Sequence, residues 1–302
     1  MGRSAATVAL AGSAAIAVVV GVSACSDDGG DDADGEDVGA LETVVESDDL
    51  DDAVDVAAGG GGVWIALDGG QVVAVGDDDM EPVAELDAVS TDASIAAGGD
   101  GTLYATDAER QQLLRYRDGT VDSGPVPAVQ ELSELAAGAD GSVLVGDYEG
   151  LQLVSVGSDG RVEELADNVL AGPMTVAPDG TLYYVEDQLF DGRIVTLAPG
   201  GGPARLTQPV ERDDEGDPVE PPSEGASADD SYIDARDLAA TDDGLYVLTF
   251  TNEVWRIGDD EELELVLRRG GDSALAALSA ADGEVYVLDA GTGTLSTLAS
   301  GE

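Results

Sequence analysis

Three carboxylates recur at one place in a repeated pattern. Asp55 precedes Val56-Ala57-Ala58, Glu134 precedes Leu135-Ala136-Ala137, and Asp237 precedes Leu238-Ala239-Ala240. Ser94 holds the matching place before Ile95-Ala96-Ala97. Carboxylates converging on one point can supply the oxygen ligands of a hard cation such as Ca²⁺. Water on such a cation is a hydrolytic nucleophile, so Asp55, Glu134 and Asp237 are candidate metal ligands. Plain solvation competes with that reading, because the chain must place 64 acidic residues among 302. Other chemistries are closed to it. The sequence has no histidine, which removes Ser-His-Asp and Cys-His nucleophile systems, His-ligated metals and a histidine base. It has no lysine, so no glycine-rich phosphate loop ends in one.

The segments around these residues share one design: an apolar-plus-alanine stretch, a Gly or Asp-Gly turn, a stretch with aromatic or β-branched residues, then a second apolar run. Six copies begin at Val56, Ile95, Leu135, Met174, Leu238 and Leu275. Their turn glycines, Gly62, Gly101, Gly141, Gly180, Gly244 and Gly283, are spaced 39, 40, 39, 64 and 39 residues apart. Short alternating runs broken by Asp-Gly turns are antiparallel strands joined by hairpins. Units of this length repeated six times predict an all-β chain, a six-bladed β-propeller of four-stranded blades. The small residues fall on the strand nearest the axis, where strands converge. Bulk lies one strand out, at Trp64, Tyr104, Tyr183, Tyr246 and Tyr286.

The last copy stops after a third strand near Leu298, and Leu41 to Glu46, LETVVE, precedes the first inner strand. The N-terminal strand is therefore expected to complete the final blade and cover its edge. The one long spacing marks an insertion, residues 211–237, rich in acid and proline. It joins an outer strand to the next inner strand, and is expected to be either disordered or a lid docked over the channel by Tyr232. Acidic residues also close the second strands, at Asp68, Asp107, Asp147, Asp187 and Asp289. They predict an anionic face suited to cations or a basic partner, or simply a solvated one.

The recurring pattern apolar-Ala-x-x-Asp-Gly-x-Leu-Tyr-Val is clearest in TVAPDGTLYYVEDQLFDGRIVTLAPGG. Over residues 41–300 it resembles NHL repeats and the six-bladed propellers that include gluconolactonase-like and streptogramin-lyase-like proteins. That resemblance implies the architecture more firmly than a function, since one fold hosts many chemistries. For streptogramin lyases it implies a catalytic histidine, and quinone-dependent sugar dehydrogenases of this fold also lean on histidine; this chain has none. For gluconolactonases it implies a metal held by acidic and asparagine ligands. Only the acidic part has a counterpart here, since Asn168 and Asn252 are the sole asparagines and neither occupies that position.

The N-terminus carries its own signals. Arg3 precedes an uncharged run from Ala5 to Ala24, which ends in Val22-Ser23-Ala24-Cys25. This is the layout of an export signal, residues 1–24, and its last four residues resemble the lipobox of bacterial lipoproteins. The resemblance implies lipidation of Cys25, the only cysteine in the chain. Two acyl chains there would anchor the protein stably, at about 0.8 kcal/mol per buried methylene. Residues 25–40 then form an acidic Gly/Asp-rich tether that cannot bury enough surface to fold.

The formal net charge is −52, with all 12 basic residues arginine. A nucleic-acid partner is excluded for want of a basic patch. Such a surplus strains a compact chain unless salt screens it, and it resembles the surfaces of halophile proteins. The expectation from sequence is a monomeric lipoprotein on the outer face of the cytoplasmic membrane, exposed to a saline exterior. Its propeller would bind a protein or small ligand on the channel-mouth face without catalysis, the alternative being a Ca²⁺-dependent, lactonase-like hydrolase.

Overall fold

The computed structural model describes residues 37–76, 80–83, 86, 94–107, 109–138, 140–186, 192–209 and 222–299. The export signal, Cys25 and the tether up to residue 36 lie outside the described residues, as do Asp187 and residues 210–221 of the insertion. No helix among the described residues is long and apolar enough to cross a membrane.

Strand β1 (Leu41–Glu46) comes first. Blade one follows as β2 (Ala53–Gly59), β3 (Gly62–Leu67), β4 (Gln71–Val75) and β5 (Met80–Pro82). Blade two is β6 (Ile95–Ala97), β7 (Leu103–Asp107), β8 (Gln112–Arg117) and β9 (Thr120–Gly124); blade three is β10 (Leu132–Ala137), β11 (Val143–Asp147), β12 (Gln152–Val156) and β13 (Val162–Asp167). Blade four is β14 (Ala171–Val176), β15 (Leu182–Glu186), β16 (Arg193–Leu197) and β17 (Ala204–Arg205). Blade five is β18 (Ala235–Thr241), β19 (Gly244–Thr249), β20 (Glu253–Ile257) and β21 (Leu263–Arg268); blade six holds β22 (Leu275–Ala281), β23 (Glu284–Asp289) and β24 (Thr294–Leu298). Six four-stranded antiparallel sheets result, and the inner strands β2, β6, β10, β14, β18 and β22 touch in a ring that closes from β22 to β2. The chain is a six-bladed β-propeller.

Both faces of each blade are covered by neighbours, which explains why the strands are apolar on both sides. Between blades two and three, for example, Ala96, Tyr104 and Leu113 pack with Leu135, Val145 and Val154. A side chain such as Val143 or Val145, wholly buried there, contributes about 1.5–3 kcal/mol through surface removed from water. Near the axis the backbones approach too closely for any side chain. A Cβ on Gly60, whose φ is +56°, would lie 2.2 Å from the Gly101 nitrogen.

The ring closes as the sequence predicts. β1 runs antiparallel to β24, with Leu41 opposite Leu298 and Glu46 opposite Thr294. Ordered chain begins earlier than expected, however. Val38, assigned to the tether, exchanges backbone hydrogen bonds with Arg268 at the end of β21, so the entering chain crosses blade five before it joins blade six. Gly39 permits this crossing: its φ is +80° and a Cβ would sit 2.1 Å from the Val266 carbonyl oxygen.

The lid expectation rests in part on residues 211–221, outside the described residues; the described part of the insertion packs against blade five. Residues 222–234 run beside β21, where the Gly225 N–H donates to the Leu263 carbonyl, the Leu263 N–H to Ala226, and the Ala228 N–H to Glu261. Ala228 and Ile233 are buried in the core between blades four and five, against Val185, Ile194 and Trp255. Ile233 anchors the segment by filling an apolar gap between blades four and five. Ile233→Ala is expected to cost about 2–5 kcal/mol, the usual range for emptying a core site of this size. The midpoint of denaturant unfolding checks this, and an unchanged midpoint would show that the segment is not docked.

Candidate functional site in the central channel

The inner strands start earlier than their alanines suggest. In β2, β10, β14, β18 and β22 the pairing register shifts near the start, between Ala53 and Asp55, Leu132 and Leu135, Ala171 and Met174, Ala235 and Asp237, and Leu275 and Ala277. Each shift is a β-bulge, a device that re-aims side chains next to it. Asp55, Glu134 and Asp237 therefore lie inside strands, at the bulge, and not ahead of them. All three, with Ser94, line one cavity of about 460 Å³ on the propeller axis, floored by small residues such as Ala57, Ala136 and Ala240.

Most of these side chains have work to do in the backbone. The Asp55 carboxylate accepts from the Val56 N–H at 2.8 Å and, across the seam to blade two, from the Ile95 N–H at 2.8 Å. Ser94 Oγ accepts from the Leu135 N–H of blade three at 3.1 Å. Asp237 accepts from its neighbour Leu238 at 2.7 Å and from Leu278 of blade six at 2.6 Å. Ser279 Oγ links blade six to blade one, accepting from the Ala58 N–H at 2.9 Å. An inner strand is a sheet edge, and its outward amides need acceptors once water is squeezed out. Glu134, one methylene longer, pairs instead with the Ser94 hydroxyl.

These acids are half-buried by surface area yet enclosed by protein, since what they see is the narrow channel. Burial pushes the Asp55 carboxyl well above its ordinary range; repulsion from Asp237 and Glu134 adds to that, while the Ile95 and Val56 amides oppose it. Burial likewise raises Asp237, to about 7, against the pull of the Leu278 and Leu238 amides. Glu134 is raised by burial, partly offset by Ser94. The channel acids thus hold their protons more tightly than they would in water, and a protonated one can donate as well as accept a hydrogen bond. Among the described residues, no three acidic, histidine or cysteine side chains are grouped as metal ligands. The structure brings Asp55, Glu134 and Asp237 to one cavity, with the oxygens of Asp55 and Asp237 committed to backbone amides.

A second tier of polar latches lies farther from the axis on the same face, and the sequence reading missed it. Asp107, Asp147 and Asp289, read there as solvated or as an anionic face, are buried. Asp147 accepts from the Gln130, Glu131 and Gly150 amides and from Gln152 Nε2. Burial pushes its carboxyl up, but Gln152 and those amides outweigh burial and hold it below the ordinary range. Asp289 takes the Ala274, Gly291 and Thr292 amides. The Leu132 N–H donates to Gln111 Oε1 of blade two, and the Leu275 N–H to Asn252 Oδ1 of blade five. Register separates these acids from exposed ones, since Asp147 is the last paired residue of β11 whereas exposed Asp68 falls one beyond the end of β3, and the sequence alone carries no signal of it.

The same face also carries apolar side chains in water. Five large ones are exposed among the described residues, and four of them, Val54, Tyr148, Leu151 and Phe250, lie at inner-strand starts or in the turns between second and third strands. In an antiparallel blade both places fall at the channel-mouth end. Phe250 is 63% exposed and Tyr148 55%.

The raised channel acids fix a pH dependence. A carboxyl that binds its proton more tightly when folded stabilises the fold fully below its unfolded pKa of about 4 and loses that contribution as pH rises through the folded value. For Asp237 the loss runs up to about pH 7. Asp237→Asn removes the titration and keeps one acceptor, so its melting midpoint should fall less between these limits than that of the unaltered chain. Equal slopes would contradict the raised carboxyl.

No protein-family model and no curated protein sequence matches the chain. Solved structures do. A gluconolactonase from Xanthomonas campestris superposes with a TM-score of 0.59 at 15% identity, over 87% of this chain and 97% of that one. The PQQ-bound aldose sugar dehydrogenase of Streptomyces coelicolor gives 0.58 at 16% identity, over 86% and 98%. A catalytically inactive histidine-to-alanine variant of virginiamycin B lyase from Staphylococcus aureus, solved with quinupristin, gives 0.54 at 14% identity, over 87% and 80%. At such identities these likenesses establish the six-bladed propeller and nothing finer.

Proposed function

We propose that this protein is an exported, lipid-anchored binding propeller that engages a partner protein or small ligand on its channel-mouth face without catalysing a reaction. Four of the five large apolar side chains exposed among the described residues share that one face, and this carries the reading. They stand on blades one, three and five, so a partner reaching them spans the face. Here Val54, Tyr148, Leu151 and Phe250 stand among acidic side chains such as Asp52, Asp68 and Glu149. A partner with a basic rim and apolar anchors complements that mixture. Export and anchoring rest on the uncharged run from Ala5 to Ala24 and on Val22-Ser23-Ala24-Cys25.

The fold neighbours include a gluconolactonase, a sugar dehydrogenase and a lyase, and the metal-dependent hydrolase is the second reading, with Asp55, Glu134 and Asp237 as ligands. Two observations weigh against it. The Asp55 and Asp237 oxygens already accept backbone amides, so fewer of their lone pairs face a cation. The asparagine ligands that the gluconolactonase resemblance implies have no counterpart either, since neither Asn168 nor Asn252 stands at an inner-strand start.

The test pairs two assays. Exported proteins captured by the immobilised chain should bind at least about tenfold more weakly to Tyr148→Ala/Phe250→Ala, the loss typical of aromatic anchors, with the melting midpoint unchanged. Lactone turnover abolished by a chelator, with a calcium-dependent rise in melting midpoint, would replace the binding reading with the hydrolase.

A further inference from the structure

A second cavity, of about 450 Å³, opens at the rim between blades three and four, on different strands from the channel. It exists because β17 is only two residues long, so the outer part of blade four leaves β15 and β16 partly uncovered towards β13. Leu165, Val169, Val195 and Pro203 form apolar walls. Tyr184 is 1% exposed and lines the cavity, yet its hydroxyl has no hydrogen-bond partner among the described residues. Burial, with Glu186 nearby, pushes that hydroxyl up to about 12 despite Arg193, so it keeps its proton and can donate. Ser133 Oγ is the one fully buried side-chain polar atom without a partner among the described residues, so the Tyr184 oxygen keeps its access to the cavity and is open to an occupant.

The charges around it narrow the occupant. Arg193 is held by Glu186 in an ion pair. Arg205 lines the cavity without an ion pair among the described residues, and Asp167 lines the cavity from β13. Two of the chain's 12 basic residues therefore meet two acids here, a locally neutral spot on a protein of net charge −52. Opposite charges lining one cleft complement a ligand that is net neutral and itself carries separated charges.

We infer that this cleft binds a small zwitterion with an apolar body, of the amino-acid type. Its carboxylate is taken by the Arg205 guanidinium and the Tyr184 hydroxyl, its ammonium by Asp167, and its side chain by the apolar walls. Arginine suits the carboxylate because its fork can grip two oxygens.

Calorimetric titration of the full chain in molar NaCl tests this with three probes: leucine, N-acetyl-leucine and leucinamide. Leucine should bind saturably, and both singly charged derivatives more weakly. Tyr184→Phe should weaken leucine about fivefold and Arg205→Gln about tenfold, the losses expected for a neutral and a charge-assisted hydrogen bond. Asp167→Asn should weaken leucine and leave N-acetyl-leucine unaffected. Tyr184→Phe conserves volume and Arg205 is exposed, so their melting midpoints should match that of the unaltered chain. Absence of saturable leucine binding up to its solubility limit, equal binding of N-acetyl-leucine, or indifference to all three substitutions would each overturn the inference.

Discussion

The structure depends on how six sheet edges are satisfied where they meet. Blades in a ring do not share a continuous ladder, so the innermost strand of each presents N–H groups to a channel too narrow to solvate them freely. Leaving such donors unpaired costs about 1–3 kcal/mol each. At four of the six seams a side chain on or just ahead of one inner strand accepts from the inner strand of the next blade: Asp55 from Ile95, Ser94 from Leu135, Asp237 from Leu278, and Ser279 from Ala58. Small residues at the axis permit the close approach, and the bulges in β2 and β18 turn Asp55 and Asp237 towards their seams. The same requirement recurs farther out, where Asp147, Asp289, Gln111 and Asn252 hold the backbone entering blades three and six.

This requirement explains why a channel lined with acid need not be a catalytic one. A carboxylate is the strongest acceptor available to a chain already committed to Asp and Glu, and a charge-assisted bond to an amide is roughly twice as strong as a neutral one. Burial raises the proton affinity of Asp55 and Asp237, and the amides they accept oppose that rise. At Asp147 burial is outweighed by Gln152 and three amides, which hold the carboxyl below its ordinary range.

Much of the fold was legible before any coordinates. The Asp-Gly turns announce themselves because Asp100, Asp140 and Asp179 accept from the amides two residues on, which fixes the turn locally. Ring closure was legible because LETVVE has the character of an outer strand and the last blade lacked one. Register and bulges were not, since they arise from pairing between distant strands. Without register, buried Asp147 and exposed Asp68 look alike among 64 acids. Nor could an isolated Tyr232-Ile233 pair say which residue is the anchor, because the gap filled by Ile233 is made by blades four and five together. The rim cleft was hidden for the same reason: a two-residue outer strand is a property of the assembled blade.

The claim that channel acids are latches between blades is tested most directly by residue-resolved amide hydrogen exchange on the unaltered chain, Asp55→Ala and Asp237→Ala. The Ile95 amide should be protected in the unaltered chain and lose protection selectively in Asp55→Ala, while the Leu278 amide does so only in Asp237→Ala. Retained protection at both amides, or a uniform loss over all six blades in either variant, would contradict the account.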